Sequence, residues 1–270
     1  MATVSYWNGS IWVSVDITHF SYWNGSAWTA PSDVKYWDGA AWQTVFGGGG
    51  GGSSIALRAA TNNTASSSSS LNLTVPATTQ VGDLLVLVVG QTSFSGGGLF
   101  NAISGWTKQG EQRANTASMT LGVYTRLAQA GDASSTVTST SINSANYSGQ
   151  IRAYTNVNQT TPIDAAIVFS QAAASTTASA PAITTVTNGA EVVTFFAIPT
   201  QAGTTVTGTD FTDPTGFANE LVVCTNTGSN NAAIAVYDEN FASSGAEGPF
   251  GITCTQSRNW ALATVAIRPT

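Results

Sequence analysis

The chain has 270 residues, 42% of them hydrophobic, but only 8% are charged, and 14 acidic against 8 basic side chains give a formal net charge of −6. The apolar content is ample for a core, whereas charge at about a third of the ~25% usual in soluble proteins leaves hydroxyls and amides to solvate the surface. The two lysines and six arginines are scattered, so no footprint for nucleic acid or an anionic membrane surface is expected.

From the N-terminus, one aromatic unit occurs three times in the first 46 residues: Tyr6 Trp7 Asn8 Gly9 Ser10 Ile11 Trp12, then Tyr22 Trp23 Asn24 Gly25 Ser26 Ala27 Trp28, then Tyr36 Trp37 Asp38 Gly39 Ala40 Ala41 Trp42. Each centres on Asn-Gly or Asp-Gly, a pair that accepts positive φ at both middle positions of a type I′ turn, so each predicts a β-hairpin. A two-residue turn on Asn8 and Gly9 sets Trp7 against Ser10 and Ser5 against Trp12. That places Trp7 and Trp12 diagonally on one face and Tyr6 with Ile11 on the other. The copies start 16 and 14 residues apart, too close for private cores, so they must pack on each other, on sister chains or on a partner.

The unbroken glycines Gly47 to Gly52, with Ser53 and Ser54, predict a flexible linker over 47–54 that divides a hairpin module, 1–46, from a second domain, 55–270. The serines Ser66 to Ser70 predict a long loop inside that domain. Short apolar runs then recur at Leu84–Val89, Met119–Leu127, Ile151–Val157, Glu191–Ile198, Glu220–Cys224, Ala232–Tyr237, Phe250–Cys254 and Trp260–Ile267. That rhythm predicts an all-β chain whose second domain is a jelly-roll-like β-sandwich, with helix scarce. The longest aliphatic run, Leu84–Val89, is far too short to cross a bilayer, so membrane insertion is not expected. Met1–Val4 runs straight into the first hairpin with no basic and then apolar leader, so no export signal is expected.

Sliding the chain about 110 residues along itself exposes a weak duplication. Gly82–Val88 matches Gly189–Phe195, Gly105 Trp106 matches Gly216 Phe217, Thr120–Tyr124 matches Ala233–Tyr237, and Gln150–Tyr154 falls near Trp260–Val265, with the order kept. The halves, about 80–160 and 187–270, each supply too few strands to bury both faces, which predicts one pseudo-symmetric sandwich.

Little in the chain points to chemistry. His19 is the only histidine, so no His-rich metal site or Ser-His-Asp device is expected. Asp210 and Asp213 share an oxygen-rich loop but lack the Asp-x-Asp-x-Asp-Gly spacing of a calcium loop, so no metal is expected. Gly96 Gly97 Gly98 is followed by neither Gly-Lys-Ser nor Gly-Lys-Thr, and reads as a loop tip. Trp106 and Trp260 sit on strands and read as core. Cys224 and Cys254 also fall on strands, either as a bridge or as buried free thiols. No cofactor and no catalytic residue are expected.

Three readings are open for Tyr6, Trp7, Trp12, Tyr22, Trp23, Trp28, Tyr36, Trp37 and Trp42, which form the candidate binding and assembly site. The indoles can interlock between chains or dock on a partner. Alternatively they stack on pyranose rings, with avidity on a repetitive glycan, or they pack on the second domain.

The half-pattern Gly82–Val89, then Gly105 Trp106 Thr107, then Leu121–Ala128, then Tyr154–Asp164, resembles a duplicated β-sandwich domain of tailed-bacteriophage structural proteins and some bacterial surface proteins, over roughly residues 80–270. The Tyr-Trp-Asn-Gly-Ser-x-Trp unit is similar to repeats in phage minor tail, fibre and other virion proteins. The resemblance implies a non-enzymatic virion structural protein of tail-fibre type, held by its hairpins to other virion proteins or to sister chains, trimers included. Its sandwich would face the host surface and a cell-surface glycan. A capsid decoration or head-fibre protein, and a free carbohydrate-binding module, are the alternatives.

Overall fold

The computed structural model describes residues 54–92, 100–115, 118–200, 206–225 and 231–270, and in the N-terminal region the strands within 3–47. The chain divides into two compact units, Met1–Gly52 and Ser53–Thr270. In the first, β1 (Thr3–Trp7) pairs with β2 (Trp12–Asp16), β3 (Tyr22–Trp23) with β4 (Trp28–Thr29), and β5 (Asp33–Trp37) with β6 (Trp42–Gly47), as separate antiparallel two-stranded sheets. Gly47, read from the sequence as linker, is the last residue of β6 and opposes Asp33.

The second unit is a β-sandwich. Its first half is β7 (Ala56–Thr74), β8 (Leu84–Thr92), β9 (Thr107–Arg113), β10 (Met119–Leu127) and β11 (Thr136–Thr155), in the sheet order β7-β11-β8-β10-β9. The second half is β12 (Ile163–Ala180), β13 (Ile183–Thr184), β14 (Ala190–Thr200), β15 (Phe211–Thr212), β16 (Ala218–Cys224), β17 (Asn231–Phe241), β18 (Ala246–Glu247) and β19 (Phe250–Ile267). Its sheet order is β12-β19-β14-β17-β16, with β15 beside β19, while β13 and β18 pair apart. The two orders are the same path, long strand, long strand, centre, fourth, third. Each half therefore builds one sheet, and the internal duplication is one of topology.

The halves begin earlier than the sequence suggested, at β7 and β12, two long edge strands rich in Ser, Thr, Asn and Ala that carry little apolar periodicity. Ser66–Ser70, expected as a loop, lies within β7. The serines mark a break in register, where Ser70 pairs with Thr140 but Ser68 with Ala145, and Ser67 takes φ 47°. Phe250–Cys254 and Trp260–Ile267, expected as two strands, are the ends of one, β19; the polar residues between them lie where pairing with β12 shifts register.

Side chains of β8 alternate between two cores. Leu84, Val86 and Val88 meet Val193, Phe195 and Ala197 of β14 between the sheets. Leu85, Leu87 and Val89 point away from that interface, into a core shared with Leu71, Leu73 and Val137. On the other sheet Val192, Phe196 and Ile198 pack likewise with Ala178, Ala180 and Ile252. As expected, neither half buries both faces by itself: the front of each sheet is covered by the other half, and only its back by its own strands. The far ends of β7 and β11 pair with each other beyond β8, and those of β12 and β19 beyond β14, so each sheet folds a flap over its own back.

The register makes the correspondence residue by residue. Across the first sheet runs the row Asn62, Gln150, Val88, Val123, Gly110, and across the second Phe169, Ala263, Phe195, Val236, Leu221. At one end of the stacked rows Phe169 lies over Gly110, where an added Cβ would sit 2.6 Å from Phe169 Cε2 at φ +148°. Overpacking of this kind costs ~1–3 kcal/mol. Gly110→Ala is thus expected to lower stability by about that amount in urea unfolding, and by clearly less in a Phe169→Leu background; equal losses in both backgrounds would contradict the contact.

Candidate functional site

In the hairpins, Trp7 opposes Trp12, Trp23 opposes Trp28 and Trp37 opposes Trp42. This corrects the diagonal arrangement: Trp7 opposes Trp12 and not Ser10, and Tyr6 faces Val13. Tyr22 likewise faces Thr29, and Tyr36 faces Gln43. Aromatic residues at directly opposed positions are a favoured cross-strand pair, and the same register recurs in every copy. The turn residues Asn8, Gly9, Asn24, Gly25, Asp38 and Gly39 lie outside the described residues, as do His19 and Gly96–Gly98.

The sandwich holds a second cluster, which sequence reasoning missed. Alternation on β11 turns Ser148, Gln150, Arg152 and Tyr154 toward the other sheet. Ser148 Oγ donates to the Ala232 carbonyl and Gln150 Nε2 to the Leu221 carbonyl at 2.7 Å. Arg152 Nη2 lies 3.0 Å from Asp238 Oδ2 on β17, with both side chains fully buried. Tyr154 Oη accepts from Arg152 Nε at 2.9 Å and donates to Asp238 Oδ2 at 2.8 Å, closing a triangle across the sheet interface. Burial pushes the Tyr154 phenol well above its ordinary range, so it stays a donor.

Glu191, only 4% exposed at the start of β14, borders this cluster. Burial first, then the charge of Asp238, push its carboxyl up to about 8, against the pull of Asn240 and Arg152. A protonated Glu191 leaves Arg152 and Asp238 as a balanced pair. Closed to solvent, Arg152 and Asp238 cannot meet a substrate; their hydrogen bonds tie the first half of the sandwich to the second in one register. The signal in the sequence was a charge set next to apolar residues, Arg152 after Ile151 and Asp238 after Ala232–Tyr237.

The remaining candidates have structural employment. Trp260 is fully buried and its Nε1 donates to the Ser175 carbonyl at 3.0 Å, and Trp106 is buried in the core behind β8. Cys224 and Cys254 are free thiols, both held protonated by burial. Asp210 accepts from Thr207 N–H at 2.9 Å and from the Thr255 hydroxyl at 2.9 Å, which hold its carboxyl below the usual range. Among the described residues no group of three or more His, Cys, Asp or Glu is placed to hold a metal, and no helix is long and apolar enough to cross a membrane.

No protein-family model matches the chain, and no curated protein or solved structure matches it either.

Two outcomes test the buried cluster. Removing one partner of a buried pair strands the other charge at a cost of about 3–5 kcal/mol, so Arg152→Met is expected to lose that much stability, with partial recovery when Asp238→Leu is added. Folded Glu191 keeps its proton to about pH 8 while the unfolded chain releases it near 4.5. The stabilisation this proton provides is therefore complete below pH 4.5, declines as pH rises, and is gone above 8. Glu191→Gln is expected to exceed the parent in stability above pH 8 by thermal unfolding, with the gap closing at acid pH; a constant gap would refute the assignment.

Proposed function

We propose that this chain is a non-enzymatic structural component of a tailed-phage virion, attached through its hairpin unit and displaying the sandwich toward the host surface. The observation that carries the reading is the repeated Trp-Trp register: three hairpins in a unit separate from the sandwich present the same opposed aromatic pair. A pair of two-residue strands such as β3 and β4 has little stability alone, and tryptophans concentrated in such short hairpins suit a contact surface, where aromatics are enriched. Three equivalent contacts multiply weak affinity, as attachment to a repetitive particle or to sister chains requires. The sandwich supports display: its strands bury two-sided apolar centres and leave a hydroxyl- and amide-rich exterior on β7 and β12. Other virion proteins are the proposed partners of the hairpins, and a homo-oligomer, trimers included, is the proposed form.

The test is immunogold labelling of purified particles with antibody against residues 55–270. Label on the tail or its fibres is expected. Even label over the head would make the chain a capsid decoration or head-fibre protein, and absence of label from every particle would overturn the virion reading.

A further inference from the structure

The two ends of the stacked rows ought to be alike, and they differ. Where β12 lies over β9, the Phe169 ring fills the seam against Gly110. At the other end, where β7 lies over β16, the residue equivalent to Phe169 is Asn62 and the one equivalent to Gly110 is Leu221. A groove of about 550 Å³ opens there, lined by Asn62 and Thr64 of β7, Val206–Gly208 and Leu221–Cys224. That size falls within the roughly 300–1,000 Å³ usual for ligand pockets.

The lining is polar and uncharged. Asn62 and Thr64 are exposed on the same side of β7, and among the described residues neither the Asn62 carboxamide nor the Thr64 hydroxyl has a hydrogen-bond partner. Leu221 turns its carbonyl into the seam, where Gln150 Nε2 holds it, and strand alternation turns Val223 N–H and C=O the same way. Gln150 is fully buried between these walls, and its Oε1 has no partner. Val206 and Val222 add an apolar patch. An added peptide strand would need both outward carbonyls of the β16 edge, and Gln150 already occupies one. Amide, hydroxyl and backbone groups without strand periodicity, beside an apolar patch and with no fixed charge, suit a neutral polyol with apolar ring faces.

We infer that the seam between β7 and β16 is a binding site for a neutral oligosaccharide. The inference deepens the host-attachment reading and rests on it, and it moves the glycan contact from the hairpin tryptophans to the sandwich. Internal duplication supplies the control, since Phe169 shows how the fold closes the seam when nothing needs to enter.

The experiment exposes the full chain to a printed array of neutral and acidic oligosaccharides. Retention on neutral members is expected. Asn62→Phe, which sets a ring over Leu221 where the closed seam has Gly110, and Thr64→Trp, on the exposed strand, should each weaken retention by at least about tenfold, Thr64→Trp without lowering Tm. The triple variant Trp7→Ala, Trp23→Ala, Trp37→Ala should retain the parent's specificity. Should Asn62→Phe fail to fold, Thr64→Trp decides. Retention of acidic members alone, no retention at all, retention unchanged in Thr64→Trp, retention lost in the tryptophan triple variant, or displacement of the glycan by an uncharged extended peptide would each overturn the site. A blank array together with gold label on the tail would remove this inference and leave the virion role standing.

Discussion

Two strands that are apolar on both faces govern the sandwich. Every residue of β8 is buried, and so is nearly all of β14. A strand of this kind needs two covers, and a sheet facing water on one side supplies only one. The second cover comes from length: β7, β11, β12 and β19 run well past their central neighbours and fold back as flaps. The duplicated order of the strands, the cores behind each sheet, and the central core between them all follow from satisfying this requirement twice.

A core built from repeated apolar strands has a register problem, because valine against valine is tolerant of a slip. The Arg152–Tyr154–Asp238 triangle is directional where the surrounding contacts are not. It lies across the sheet interface, and its partners are lost if either sheet slides. In a chain with so few charges, setting one ion pair in the interior is a choice that dispersion contacts do not explain; buried ionic groups are expensive and are best understood through the arrangement they impose. Glu191 remains compatible with that arrangement by keeping its proton.

The hairpin unit and the sandwich solve different problems. The hairpins repeat one short pairing rule, Trp opposite Trp, in all three copies. The sandwich repeats a topology once and then departs from its own symmetry, with Phe169 at one seam and Asn62 at the other. The departure is paired, a ring over Gly110 at the closed seam and an amide beside Leu221 at the open one.

By itself the sequence determined the all-β class, the three aromatic units, the duplication and most central strands, since Leu84–Val89, Met119–Leu127 and Ala232–Tyr237 carry their apolar character locally. It also marked Trp106 and Trp260 as core. It could not reveal β9 and β12, or that β7 runs on through its serines, because these edge strands are rich in hydroxyls and amides and their pairing energy lies in backbone hydrogen bonds to partners far along the chain. The Trp7–Trp12 register escaped it for a related reason: the local Asn-Gly preference sets Trp7 against Ser10, whereas the paired strands set it against Trp12. Only tertiary structure decided that Arg152 meets Asp238, 86 residues away, and that Asn62 stands where Phe169 stands in the other half. Arg152 and Asn62 each acquire their role from the strand that packing brings against them.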